Sequence, residues 1–244
     1  MFRDDVLPDI EKEGGKLVGL SKLRTACWFR HVYKESGTTS LAKLGVWFQA
    51  RGVEVYWNHY SHGGSSPSRE LLLAVDRVIK HASDWFLDGP ERLPLWPILD
   101  GDVNKAKLAL TRLLGSFDLY SGKRTLTEKW KTLFELLLRE RLNHVWQNHR
   151  DLDDLVKEEK NYLGVVLNES GAVLDPKFLV GIVALVGQCI KIRDKQAVEV
   201  TQDDKQARVI ARYFMQAIEG EPLVQAFGQD VATYIGDWYK KNGI

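Results

Sequence analysis

Along most of the chain, apolar residues recur every three to four positions, the period of an amphipathic α-helix. Residues 21–37 place Leu23, Ala26, Cys27, Phe29 or Arg30, and Val32 or Tyr33 near one face, and Gly37 stands where a C-cap is expected. Thr38, Thr39 and Ser40 offer N-caps for a second helix, SLAKLGVWFQARG, that ends at Gly52. Residues 53–62, VEVYWNHYSH, are rich in β-branched and aromatic side chains and would also suit a strand. Val53, Trp57 and Tyr60 fall at i, i+4 and i+7, however, and Gly63-Gly64 comes next as a stop. The segment is therefore predicted to be a third helix, with Trp57 and Tyr60 turned to the core. Pro67 opens a fourth helix over residues 68–83, with Leu71, Leu72, Val75, Val78 and Ile79 as its buried stripe.

The period is lost over residues 84–102, where Pro, Gly, Trp and acidic residues crowd together. Trp85, Phe86, Leu95, Trp96 and Ile98 are too apolar for a free linker, so this stretch is expected to be an ordered connector that pins the first module to the C-terminal half. Beyond it, VNKAKLALTRLLGSF, TLTEKWKTLFELLLRERLNHVWQNH, DLDDLVKEEKNYLGVVL, DPKFLVGIVALVGQCIKIR, DDKQARVIARYFMQAI and PLVQAFGQDVATYIGDWYKK are each helical in period. Thr125, Asp151 and Asp203 sit at expected caps. Residues 178–189 are apolar on nearly all sides, as in a central buried helix or an apolar interface helix. The pattern thus predicts an all-α fold. Residues 1–21 form a leader broken by Pro8 and Gly14-Gly15. Residues 22–99 form a helix-turn-helix-like module with its Trp/Pro-rich connector, packed on a multi-helix C-terminal domain of residues 100–244.

Composition narrows the class without naming an activity. Of 244 residues, 44% are hydrophobic and 27% charged, ordinary values for a globular chain. The formal net charge of +1 gives no bulk argument for nucleic acid. Charge is unevenly spread, however: residues 22–84 hold nine Lys or Arg against five Asp or Glu, a net of +4, which leaves −3 for the remainder. Four of the six histidines (His31, His59, His62 and His81) fall in that segment. The two cysteines, Cys27 and Cys189, lie far apart in apolar contexts and lack metal-ligand spacing, which favours a reducing cytoplasm. The acidic start carries no apolar run of the secretory type, and no apolar stretch reaches bilayer length. No membrane partner is expected.

Residues 25–86 resemble the helix-turn-helix of the Xre family of Cro-like and lambda-repressor-like domains. The likeness rests on Leu41-Ala42 opening the second helix, Tyr60 three residues before Gly63, Pro67 just beyond it, and the amphipathic helix from Leu71 to Ile79. Ser61 departs from the acidic residue usual after the aromatic, and QARGV is longer than the standard turn. The resemblance implies a recognition helix over residues 53–62, with Glu54, Tyr56, Asn58 and His59 reading base edges of double-stranded DNA. The Gly63 to Ser66 loop and the helix start behind it then suggest a phosphate clamp of His62, Gly64, Ser65, Ser66 and Arg69, joined by Lys43 and Arg51. The expected function is that of a prokaryotic-type transcription regulator, with the C-terminal helices serving a homodimer or a partner protein. The alternative function is that of a non-enzymatic helical adaptor in a phage-defence or mobile-element assembly, whose degenerate module binds protein or RNA.

Catalytic motifs do not survive inspection. His149-Arg150-Asp151-Leu152 imitates a kinase catalytic loop, but Val156 stands where a metal-binding Asn is needed. Asp100-Gly101-Asp102-Val103-Asn104 imitates a calcium loop, but Lys105 replaces the required Gly and Thr111 the bidentate Glu, so a turn and cap are expected. His59 and His62 at i, i+3 lack a third ligand. Neither an enzyme nor a cofactor is expected.

Overall fold

The computed structural model describes residues 12–13, 16–114, 125–142, 174–194 and 201–243. They form twelve α-helices and one two-residue hairpin, so the fold is all-α. The chain divides into two units, residues 1–100 and 101–244.

In the first unit, β1 (Lys12–Glu13) pairs antiparallel with β2 (Lys16–Leu17), and α1 (Gly19–Ser36) comes directly after. The expected leader is thus not wholly irregular: its last residues already belong to a ladder and a helix. α1 ends as the sequence requires, on Gly37 at φ 64° with its N–H donating to the Lys34 carbonyl. In α2 (Leu41–Gln49) the Ser40 hydroxyl accepts the Lys43 N–H at 3.2 Å, and Leu44 and Phe48 face inward.

The predicted third helix is largely absent. Gly52 turns the chain at φ 76°, the Val53 N–H donates back to the Phe48 carbonyl at 3.1 Å, and residues 53–56 run without regular structure. Helix begins only at α3 (Asn58–Ser61), a single turn. The fourth helix is also divided, into α4 (Arg69–Asp76) and α5 (Ala82–Leu87). The Asp76 carboxylate folds forward to accept the Ser83 N–H at 2.7 Å and the Ser83 hydroxyl, which holds the turn between them. Leu72, Val75 and Ile79 of the expected stripe are buried, while Leu71 and Val78 pack at its margin.

The connector is ordered. A 3₁₀ turn (Pro90–Arg92) leads into α6 (Leu95–Leu99), all five of whose residues are buried. The Trp96 indole N–H donates to the Trp85 carbonyl at 2.8 Å. Asp100 pairs with the buried Arg24 at 2.6 Å, which ties the end of the connector to α1. The core of this unit is Trp28, Phe29, Val32, Leu44, Phe48, Val53, Trp57, Leu72, Val75, Ile79, Ala82 and Phe86.

The second unit is built on α9 (Pro176–Asp194), which packs against α7 (Val103–Leu114), α8 (Leu126–Leu142), α10 (Gln202–Ile218) and α11 (Glu221–Phe227). Residues 178–186 of α9 are buried throughout, so the all-round apolar stretch is a central helix. The sequence predicts one helix over the region of α11 and α12 (Gln229–Lys241); Gly228 at φ 86° divides them. Thr125 caps α8 reciprocally with Glu128, through the Thr125 N–H at 2.7 Å and the Glu128 N–H at 3.2 Å. Asp203 is not the cap of α10. Thr201 takes that place with Asp204, and Asp203 instead accepts the Leu126 N–H of α8 at 3.1 Å. The stretch at residues 151–167, the Asp151 cap and the kinase-like residues 149–152 lie outside the described residues. Among the described residues, no helix is long and apolar enough to cross a membrane.

Candidate nucleic-acid interface

The surface between α2 and α4 is set by one indole. Trp57 is 2% exposed and lies 4.6 Å from the Phe48 ring, 6.0 Å from Trp28 and 6.3 Å from Phe29, centroid to centroid. Tyr60 meets Trp28 edge-on at 5.6 Å, and burial pushes its phenol above the usual range. Both residues therefore pack with the core, as their spacing predicts. With Val53 and Trp57 buried and Val55 packed at the core margin, Glu54 and Tyr56 are left exposed. Tyr56 is 69% exposed.

The base-reading set falls on two different local structures. Glu54 and Tyr56 lie on the irregular limb, and Asn58 and His59 on the one-turn α3. A single recognition helix carrying the four does not exist. The cause is local: Gly52 reverses the chain, and Val53, Val55 and Trp57 turn to the core at a period of two. What the structure does bring together is Tyr56 and His59, whose rings lie 5.0 Å apart at 52°.

The phosphate clamp also changes. The Gly64 and Ser65 N–H groups both donate to the His59 carbonyl, at 2.9 and 3.2 Å, so these amides are occupied within the turn. Ser68 caps α4 by accepting the Leu71 N–H. The Glu70 carboxyl is held below its usual range by its own backbone N–H and by the Ser68 hydroxyl, so a carboxylate already serves the start of α4. His62 Nδ1 lies 2.7 Å from the Ser61 hydroxyl, and Ser66 is half-buried. Lys43, Arg51 and Arg69 are exposed. Lys43 Nζ donates to the Thr39 hydroxyl at 3.0 Å. Arg51 donates to the Trp47 carbonyl at 2.8 Å and lays its guanidinium 3.8 Å above the Trp47 ring.

No known family, curated protein or solved structure matches the chain. The likeness to Xre domains therefore rests on the sequence features alone.

Residue-level reading missed the Arg51–Trp47 stack, although the two residues stand at i and i+4 across the end of α2. It also missed Val46, which is 66% exposed on the same helix. Among the described residues, no group of three His, Cys, Asp or Glu side chains could hold a metal ion. Asp102 is the cap its sequence suggests, accepting the Asn104 and Lys105 N–H groups at 3.0 Å.

Proposed function

We propose that the first unit is a nucleic-acid-binding module of a regulator and that residues 43–69 carry its contact face. The observation that supports this best is the largely exposed Tyr56 ring beside His59, on a limb fixed from behind by Trp57. Lys43, Arg51 and Arg69 supply cations to the same stretch of chain against the carboxylates of Glu54 and Glu70, a balance that suits contact with a phosphate backbone at a few points. In this reading the second unit provides the dimer or partner contact, and Leu108 and Val209 are exposed apolar side chains that suit it.

The test is binding of labelled oligonucleotides measured by fluorescence anisotropy. Affinity should fall steeply, by at least about tenfold, between roughly 50 and 200 mM salt. Replacing Lys43, Arg51 and Arg69 together by Gln should weaken binding to every sequence and flatten the salt dependence by about two to three phosphate contacts. Salt-independent retention of a protein partner, with no oligonucleotide bound, would instead support the second reading, a helical adaptor. The exposed Val46 on α2 is the observation in its favour.

A further inference from the structure

We infer that Tyr56 and His59 form a stacking platform for unpaired bases, so that this face takes single-stranded nucleic acid rather than the major groove of a duplex. The inference rests on the nucleic-acid reading and narrows its ligand. A helix that reads the major groove lies along it and presents successive side chains to base edges. α3 has four residues, about 6 Å of helix at 1.5 Å per residue. The limb before it has no regular structure and alternates buried and exposed residues, Val53 and Trp57 in and Glu54 and Tyr56 out, so those two side chains do not belong to a continuation of α3. The lever for groove docking is missing.

What remains is planar, exposed and held in place. Single-strand binders combine cations along the backbone path with aromatic faces on which bases stack, and such stacking tolerates any base because each has a π-face. The Tyr56 ring is a rigid side chain with little rotamer freedom to lose on ordering. The ring is tilted 52° from His59, and both side chains are exposed. The contrast within the same unit is His31 on Trp85, whose rings lie parallel on each other at 4.2 Å and 7°. On the same stretch of chain Arg51 offers a further planar group, a guanidinium lying over the Trp47 indole and exposed to solvent. The limb that carries Tyr56 is held at one end by the Val53 N–H bond to the Phe48 carbonyl and at the other by the burial of Trp57.

The experiment uses the full chain, a fluorescein-labelled mixed-sequence 20-nucleotide DNA strand, and the duplex formed with its complement, at low salt. The single strand should bind at least about tenfold more tightly than the duplex. Tyr56→Ala should weaken single-strand binding by roughly 5- to 100-fold, and Tyr56→Phe, which keeps the ring, should stay within about twofold of the parent. Because Tyr56 is so exposed, both variants should melt with the parent, which separates lost binding from lost folding. Equal single-strand affinity in Tyr56→Ala overturns the platform. Preference for the duplex overturns the ligand assignment while leaving the nucleic-acid reading intact. Binding to neither strand nor duplex at low salt overturns both.

Discussion

Trp57 shows how much one side chain can decide. Its ring fills the space between α1 and α2, yet among the described residues its buried indole N–H has no hydrogen-bond partner. A buried donor left unmade carries a desolvation cost of about 1–3 kcal/mol, whereas removing the ring loses the full packing term. Trp57→Phe should therefore cost little, within about 1.5 kcal/mol, because the smaller ring is offset by loss of the orphan N–H. Trp57→Ala should cost about 3–5 kcal/mol. Urea unfolding of the two variants separates them; a Phe variant as damaged as the Ala variant would mean that the N–H is satisfied in solution. The core role of Trp57 and Tyr60 was legible because both are large and regularly spaced. The outward role of Tyr56 was legible only as one member of a helical set, since its real direction depends on a backbone that is not helical.

At the scale of elements, the helices with a full apolar stripe and a cap could be read directly. Gly37, Ser40 and Thr125 mark their ends in sequence and in structure alike. The stretch from Val53 to Trp57 could not, and the arithmetic explains why. Positions i and i+4 share a face at a period of 3.6 and also at a period of two. Val53 and Trp57 satisfy both, and only Val55, packed at the core margin, breaks the tie toward a period of two. Other turns of this unit depend on side chains or glycines whose partners are not visible in sequence. Gly63 is one: at φ 65° its hydrogen occupies a site where a Cβ would lie 2.6 Å from the Lys22 carbonyl oxygen. Gly63→Ala should destabilise the chain by about 2–4 kcal/mol, through left-handed strain and this clash together. Asp76 is another, since its carboxylate accepts both Ser83 groups. Asp76→Ala should cost about 1–3 kcal/mol and Asp76→Asn less, because the amide oxygen can still take the Ser83 N–H. Thermal unfolding of the pair checks this order, and equal losses would show that the charge, not the acceptor, holds the turn.

For the molecule as a whole, the two cysteines report on folding from opposite units. Cys27 and Cys189 are both buried, neither is in a disulfide, and they are the only cysteines in the sequence. Burial pushes the Cys189 thiol up to about 12, with the Trp130 indole and Arg208 working against the rise and the charges of Asp204 and Asp203 adding to it. An unfolded thiol ionises near 8.5–9. Between about pH 9 and 12 the unfolded chain therefore releases a proton that the folded chain keeps, and stability must fall as pH rises through that window. The phenols of Tyr60 and Tyr239, raised by burial, push in the same direction above about pH 10. Lys129, lowered chiefly by burial, is destabilising while the unfolded amine stays protonated, and that cost fades as pH rises. Cys189→Ala isolates the thiol's share: its unfolding free energy should decline less steeply than the parent's from about pH 8.5 to 10.5. Neither thiol should react readily with a thiol reagent in the folded chain at about pH 8, and both should react once it is unfolded in denaturant. A rapid native reaction at Cys189, or an unchanged pH slope in Cys189→Ala, would mean that the region around α9 opens far more easily than its buried faces imply.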